Sequence, residues 1–499
     1  MIVNYKTQRP RENRPTLTIF TIGETELLDH DLIRLPDAPP KPASRQGRVS
    51  LWTYFRQFKK DILSAQPAHL YRAWMAEMRT PFLRSYLCND PALVDLVLKQ
   101  RAQDFPKSER IRVGLKPLLG ESVFISNGET WARQRRIIDP AFEGGRIRKV
   151  FPSMWDSGVA AVQRLKPMAD GSPVEIEAQT SHLAMDVIFR TLFSVPIEHE
   201  IANAAFEAFR QHQAAQPVAN VAAILPLPQW FPRFHSRQTK ETARRIRALI
   251  GQLTQQRACA IADGTAPDDL ATKIMITPDP VTGKVFETEE MIDQVAIFFL
   301  AGHETSAAAL AWALYLIARY PEWQNKLAAE ALETMEPEKI YFSTLSKLRH
   351  SRSVFREAMR LYPPVPMYVR EAACPEQFRG REVKRGSQVI LSPWHLHRHE
   401  RLWDRPDEFD PGRFDTPNGK ECMRSAYIPF SAGPRVCPGS AFAMAEGVLL
   451  LSMLVRAYRF ELVEGDTPIP AAQLTVRSAN GIRLRLTRRA EKINKESGT

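Results

Sequence analysis

The sequence predicts a mainly α chain with a minor β region, folded as a single large domain. Three observations carry that prediction. Long stretches repeat apolar residues at helical spacing, short β-like pieces appear mainly late in the chain, and no linker, repeat or low-complexity tract interrupts the interior. The chain has 499 residues, 44% hydrophobic and 25% charged, which is ordinary for a globular protein and long enough for a large core.

The elements follow in order. Residues 1–35 read as an N-terminal extension in which Arg9, Arg11 and Arg14 are mixed with Glu12, Glu24 and Glu26. A mitochondrial leader is poor in acids, and nothing here has the apolar run of a signal peptide or membrane anchor. LPDAPPKP, residues 35–42, holds four prolines and predicts a stiff entry segment. Residues 36–490 are read as one domain and 491–499 as a tail. Pro91 opens PALVDLVLKQ as a helix start. Further helices are predicted over 130–138, 180–193, 238–262, 289–319, 321–334, 346–361 and 440–457, with β-like pieces at Gln388–Leu391 and Leu474–Leu486. The longest apolar run, Val295–Ala318, carries Gly302, His303, Glu304 and Thr305 at its centre. A buried helix with a polar break suits that pattern better than a membrane span.

The net charge of +12 suits an acidic protein partner or an anionic surface, and the chain has no run of five basic residues that would point to nucleic acid. Five cysteines, at 88, 259, 374, 422 and 437, are odd in number and form no CxxC pair. That excludes a zinc ribbon or thioredoxin-like motif and predicts free thiols in a reducing, cytoplasmic compartment.

The chemistry gathers at FSAGPRVCPG, residues 430–439. Cys437 alone fits two roles, a small buried hydrophobe or a thiolate ligand to a metal. Pro438 suits the first turn of the helix that follows, placing the thiol at a helix N-terminus that favours a thiolate. Gly433 permits a tight turn, Gly439 a close approach to a flat ligand, and Arg435 reaches toward an anion. A soft thiolate on one side of a planar metal complex describes heme ligation.

Phe430, Gly433, Arg435, Cys437 and Gly439 resemble the heme-binding loop of the cytochrome P450 family. The resemblance implies heme b with Cys437 as the axial iron ligand, and the mainly α, triangular P450 fold over about residues 36–490. AGHET, residues 301–305, resembles the family's oxygen-activation motif. It implies that Ala301 and Gly302 leave room over the heme and that Glu304 and Thr305 relay protons. By itself the same stretch fits a polar break with Thr305 bonded back to a helix carbonyl. EAMR and FDPGRF imply a structural triad of Glu357, Arg360 and Arg413, although Gly412 stands where the family often has an acid. WARQR implies that Trp131 and Arg135 face a heme propionate, with Arg370 and Arg435 as further propionate arginines. His397 and Arg398 match a His-Arg pair with a structural or propionate-side role, and His303 receives none.

The activity implied is monooxygenation: one oxygen atom from O2 enters a small apolar organic substrate. No flavin or iron–sulfur domain follows Cys437, so the expected donor is a separate ferredoxin or flavodoxin with its reductase, docking on Arg133 and Arg136. A monomer without a transmembrane anchor is expected. A peroxide-driven peroxygenase and a non-catalytic heme-thiolate sensor are the alternatives, and the intact Glu304–Thr305 pair weighs against both. Candidate pocket segments are 105–125, 205–232, 293–305, 364–369 and 476–481, with Phe124, Ile125, Phe206, Phe298, Ala301, Val365 and Met367 as apolar lining. The segment 222–232 reads as core or membrane-touching.

Overall fold

The longest apolar run becomes the axis of the molecule. In the computed structural model, which describes residues 38–45, 47, 49–79, 84–215, 236–336 and 341–489, Thr288–Arg319 is one unbroken helix of 32 residues. Glu287 and Glu290 close a capping box at its start, which satisfies the otherwise orphaned first-turn N–H groups. Apolar residues are buried around nearly its whole circumference, as expected of a helix surrounded by other helices. Helices Ile176–Phe193, Arg237–Ala262, Arg349–Leu361 and Ser440–Ala457 pack on it.

The expected helices occur, with boundary changes that have local causes. Pro91–Asp95 is α-helical, and the chain winds on as a wider π-helical turn through Gln100. The 346–361 prediction resolves into a 3₁₀ turn, Phe342–Ser346, followed by the helix Arg349–Leu361. The last long helix begins at Ser440 with Gly439 as its cap, so Pro438 precedes the helix instead of opening its first turn.

The β region is small and peripheral. β1 (Met75–Arg79), β2 (Arg84–Cys88), β4 (Tyr368–Glu371) and β7 (Gln388–Leu391) form a sheet in the order β1-β2-β7-β4. β2 and β7 are parallel, with Ser85 opposite Gln388, and the other pairs are antiparallel, while β5 (Glu376–Phe378) and β6 (Arg381–Val383) form a separate antiparallel pair. β3 (Asp170–Glu175), β8 (Tyr458–Leu462) and β11 (Arg483–Arg488) form a second sheet, ordered β3-β11-β8. The β-like stretch predicted over 474–486 therefore divides into β10 (Val476–Ser478), which pairs with β9 (Pro470–Ala472), and β11.

The entry segment is tied to the core: the Tyr362 hydroxyl donates to the Pro40 carbonyl at 2.8 Å, and Lys41 pairs with Asp407 at 2.6 Å. Thr288–Arg319 and Ser440–Ala457 are apolar and long enough to cross a membrane, yet most of each is buried inside the protein. Residues 1–35 and 222–232 lie outside the described residues.

Candidate active site

One large cavity of about 490 Å³ lies between the central helix and the cysteine loop, within the range of small-molecule and cofactor sites. Cys437 opens into it. Its side chain is accessible from inside the cavity yet enclosed by the surrounding protein. Burial pushes the thiol up, and the Gly439 N–H and Arg135 oppose that rise. The sulfur therefore keeps its proton at neutral pH until a metal replaces it.

The loop around Cys437 is fixed from several directions. The Cys437 N–H donates to the Phe430 carbonyl at 3.0 Å. The Tyr368 hydroxyl donates toward the Ile428 and Pro429 carbonyls and accepts from the Ser431 N–H at 3.1 Å. Gly433 has φ +69°, and a Cβ there would lie 1.9 Å from the Leu98 carbonyl oxygen. Backbone conformation and contact with the π-helical turn both require glycine. At Gly439 the nearest protein atoms would be an ordinary 3.9 Å away, so the protein leaves room on the cavity side.

Lys107, Arg110, Arg112, Arg135, Arg370 and Arg435 border the cavity, and four of these cations, Lys107, Arg135, Arg370 and Arg435, act on one another as a group. Lys107 donates to the Val123 and Ser126 carbonyls, at 2.5 and 3.1 Å. Burial first, then Arg370, Arg435 and Arg135, push its ammonium well below its ordinary value. Arg370 on β4 is held down to about 10 by burial and then by Arg435. Arg435 donates to the Ala102 carbonyl at 2.5 Å, and its guanidinium lies 5.0 Å over the Trp131 ring. Its Nε is buried without a hydrogen-bond partner. Arg135 donates to the Val436 carbonyl at 2.7 Å and pairs with Asp139 at 2.7 Å. Among the described residues, Asp139 is the one carboxylate ion-paired with any of the four.

A buried, net-positive cluster of this kind calls for an anion. The two propionates of a heme answer it, and the thiol opens into the same cavity, so the residues fit that group. Trp131, Phe430, Gly439, Ala301 and Gly302 also border the cavity. Lys107 is the member that the sequence reading did not name, although it lies in the flagged segment 105–125. Nothing local singled it out, because the segment also carries Glu109, Arg110, Arg112, Lys116 and Glu121.

The central helix forms the opposite wall. Glu304 and Thr305 do not face each other. Thr305 borders the cavity and its hydroxyl donates back to the Ala301 carbonyl at 2.6 Å. Glu304 turns away to Gln213, to the Thr475 hydroxyl at 3.4 Å and to Arg477 at 3.9 Å. Adjacent residues on a helix point in different directions, which is the physical reason. Burial raises the Glu304 carboxyl, and Arg477, Gln213 and Thr475 partly offset that. Gly302, in turn, makes room for a neighbour: a Cβ there would meet Ile188 Cδ1 at 2.7 Å. The helix is continuous through the polar residues, and His303 bonds the Ser181 hydroxyl at 2.5 Å.

Glu357, Arg360 and Arg413 come together in a dry network. Glu357 accepts from Arg360 at 2.8 Å through both oxygens and from Arg413 Nε and the Asp410 N–H at 3.0 Å. The remaining guanidinium N–H groups donate to carbonyls at His397, Asp404, Arg405, Pro406 and Glu408. Gly412 fits this turn because its N–H donates to Asp410 Oδ1, so the acid is supplied two residues earlier. His397 accepts from the Ile428 N–H at 2.9 Å, and Arg398 stacks 3.9 Å over Trp394. Neither borders the cavity, so the pair is structural.

Three further expectations are corrected. Arg133 is bonded to Glu290, and Arg136 to Asp279 and Glu129, so both are spent on internal ion pairs instead of forming a free docking patch. Phe206 packs edge-on against His303 and lies off the cavity wall, unlike Phe124, Ile125, Phe298, Val365 and Met367, which line it. The late strand region contributes Gln473 and Leu474 to the lining, ahead of 476–481.

Comparison with known proteins agrees with this geometry. The family model described as Cytochrome P450 matches residues 54–484. The chain is 30% identical over 467 residues to cyclooctat-9-en-7-ol 5-monooxygenase of Streptomyces melanosporofaciens, covering 93% of each. It is 26% identical to cytochrome P450 4F2 of Homo sapiens, covering 95% of this chain and 96% of that protein. The crystal structure of the cytochrome P450DA heme domain superposes with a TM-score of 0.76 at 23% identity, covering 91% of this chain and 98% of that one. Heme-thiolate chemistry is what such a family carries, and this chain belongs to the cytochrome P450 family as a monooxygenase.

Proposed function

We propose that this monooxygenase binds heme b through Cys437 and inserts one atom of O2 into a small apolar substrate, with electrons from a separate ferredoxin or flavodoxin and its reductase. The observation that carries the reading is a cysteine opening into an enclosed apolar cavity bordered by a group of four neighbouring cations, Lys107, Arg135, Arg370 and Arg435, that has one paired carboxylate. Residues 36–490 form the heme domain in this reading. When bound, the heme supplies oxygen activation, and a thiolate ligand favours O–O cleavage.

The chain's own residues supply the rest. Cys437 gives up its proton on loading, which Arg135 and the Gly439 N–H assist. Arg370, Arg435 and Lys107 take the two propionates, and the Trp131 ring holds Arg435 in place. Arg135 steadies the loop through the Val436 carbonyl. Phe124, Phe298, Val365, Met367 and Leu474 exclude water and bind apolar surface. Thr305 holds a proton at the cavity wall, and Glu304 feeds it from the Arg477–Gln213–Thr475 side once the hydroxyl leaves the Ala301 carbonyl. The similarity to an enzyme named for a cyclic alcohol supports a bulky, largely apolar substrate. The two apolar helices serve as core, and we infer a monomeric cytoplasmic enzyme.

The test is the reduced carbon monoxide spectrum of the loaded protein and of Cys437→Ser. The native chain should give the thiolate-type band and the variant should lose it. A native band of the imidazole type would sink the assignment. A screen of apolar ligands by heme Soret shift then ranks substrates.

A further inference from the structure

Most of the neutral polar side chains that border the cavity are already bonded within the protein. Thr191 and Thr305 donate to carbonyls one turn earlier on their helices, Ser108 bonds Gln388, and Ser306 bonds Glu446. The Ser85 and Ser431 hydroxyls lack partners but are sealed in the wall. Gln66 differs. It borders the cavity just after the helix Leu51–Lys60 and is 6% exposed. Its Nε2 donates to the Ile62 carbonyl at 3.3 Å and lies 3.5 Å from the hydroxyl of Tyr54, a buried residue of that helix that also borders the cavity. Among the described residues, its Oε1 has no hydrogen bond.

The surroundings make that open acceptor costly. Phe58, Ile62, Ala76, Met78 and Leu87, from the same stretch and from β1 and β2, line the cavity and are apolar. A polar atom on such a wall needs a partner, and a few placed polar groups are what orient a ligand in an apolar pocket. Gln473 adds a second amide. It follows Ala472, whose carbonyl accepts from the Ile62 N–H at 2.9 Å, and its side chain has no hydrogen bond among the described residues. Ile62 thus links both glutamines to one part of the wall.

The chemistry of the pair selects its ligand. Gln66 Oε1 requires a donor, and a phenol both donates and accepts. An alcohol answers both: its O–H donates to Gln66 Oε1 and its oxygen accepts from the Tyr54 hydroxyl. A carboxylate has no donor at neutral pH, an ether has none at any pH, and a hydrocarbon has neither function. Arg45, whose charge acts on Tyr54, is spent on the Ala65 and Gly47 carbonyls.

We propose that Gln66 and Tyr54 form a hydroxyl-binding subsite, so that the substrate is an apolar molecule carrying an alcohol, and that the pair sets which of its carbons is oxidised. The proposal rests on the monooxygenase reading. No bond is made or broken at the subsite, which acts by positioning.

The experiment titrates the heme-loaded protein, Gln66→Leu and Tyr54→Phe with dodecane, cyclododecane and adamantane, and with the alcohol, methyl ether and carboxylate derived from each. Calorimetry and the heme Soret shift read the affinities. In the native protein at least one alcohol should bind about 10-fold more tightly than its parent hydrocarbon and its methyl ether. Both variants should lose that preference while hydrocarbon affinity holds or rises. In turnover the native protein should oxidise the preferred alcohol at a narrow set of positions, and Gln66→Leu should scatter them. A Gln66 that only closes the turn onto Ile62 predicts equal changes for alcohol and hydrocarbon in Gln66→Leu. That result overturns the proposal. So does the absence of an alcohol that binds better than its parent, or tighter binding of the carboxylates, which would assign this end of the cavity to Arg45. If Gln66→Leu does not fold, Tyr54→Phe, which removes a single oxygen, decides alone: an unchanged alcohol preference overturns the proposal. A native protein that binds the alcohol but oxidises nothing refutes the monooxygenase reading and leaves the calorimetric test standing.

Discussion

The chain buries two clusters of charge, and they differ in whether the protein closes them. Around Glu357, every donor of Arg360 and Arg413 that the fold buries finds a carboxylate or a carbonyl. Around the cavity, Lys107, Arg370 and Arg435 meet backbone carbonyls, the Trp131 ring and one another's fields, and none of them has an ion-paired carboxylate among the described residues. The closed network holds the backbone between Asp404 and Arg413 in place. The open cluster is destabilising until an anion enters, so its arrangement makes sense as a binding site.

The largest effect should come from breaking the closed network. Glu357→Gln leaves two buried guanidiniums short of their counter-charge, and we expect a loss of about 3–5 kcal/mol. Urea denaturation with and without heme should show the same loss. A loss confined to the loaded form would mean that the triad serves the cofactor directly.

Opening the cavity cluster should act in opposite directions. Arg435→Leu or Arg370→Met removes a repelling charge, so the heme-free protein should hold or gain stability. Heme retention should fall by roughly 10- to 100-fold, because an ion pair to the bound group is lost. Transfer of heme to a scavenger protein measures the second effect. If the substitution destabilises the heme-free form as strongly as Glu357→Gln does, the two clusters are not different in kind.

Gly433→Ala should follow. The left-handed conformation alone costs about 1–2 kcal/mol for a residue with a side chain, and the Leu98 carbonyl adds to it. Reduced heme loading with otherwise native circular dichroism is the expected readout.

The smallest effect is the pH dependence, and it separates the clusters by pH window and by the response to heme. Burial and its cationic neighbours lower the folded Lys107 value, so at alkaline pH up to about 10.5 the unfolded chain binds more protons. The heme-free protein should therefore gain stability as pH rises through that window, and bound heme should flatten the gain. Glu357 gives a slope of the same sign, but in the acid range. Burial opposes ionisation there, yet Arg360 and Arg413 hold the carboxyl below its ordinary value. Its contribution is complete above that ordinary value and lost as pH falls through the folded one, with or without heme. Urea midpoints across pH would show both arms.

Much of this was legible in the sequence. Helical spacing located the central helix, and the single loop FSAGPRVCPG brought the ligand, an arginine and the turn glycine together within a few residues. Local chain alone can hold such a group. Lys107 was not legible as a cavity cation, since the bridge that sets it beside Arg370 joins residues far apart in the chain. The same limit hid Gln66, because the cavity that it borders is closed by elements far from it in the chain.

Short-range physics determined the elements, their order and the cysteine loop, because periodicity, caps and glycine conformations act between neighbours. Only the tertiary structure decided which charges are closed and which stay open. It sent Glu304 and Thr305 in different directions, spent Arg133 and Arg136 on internal pairs, and set Gln66 at the cavity wall. Burial and charge balance depend on every element that surrounds a side chain, and no stretch of sequence contains that information.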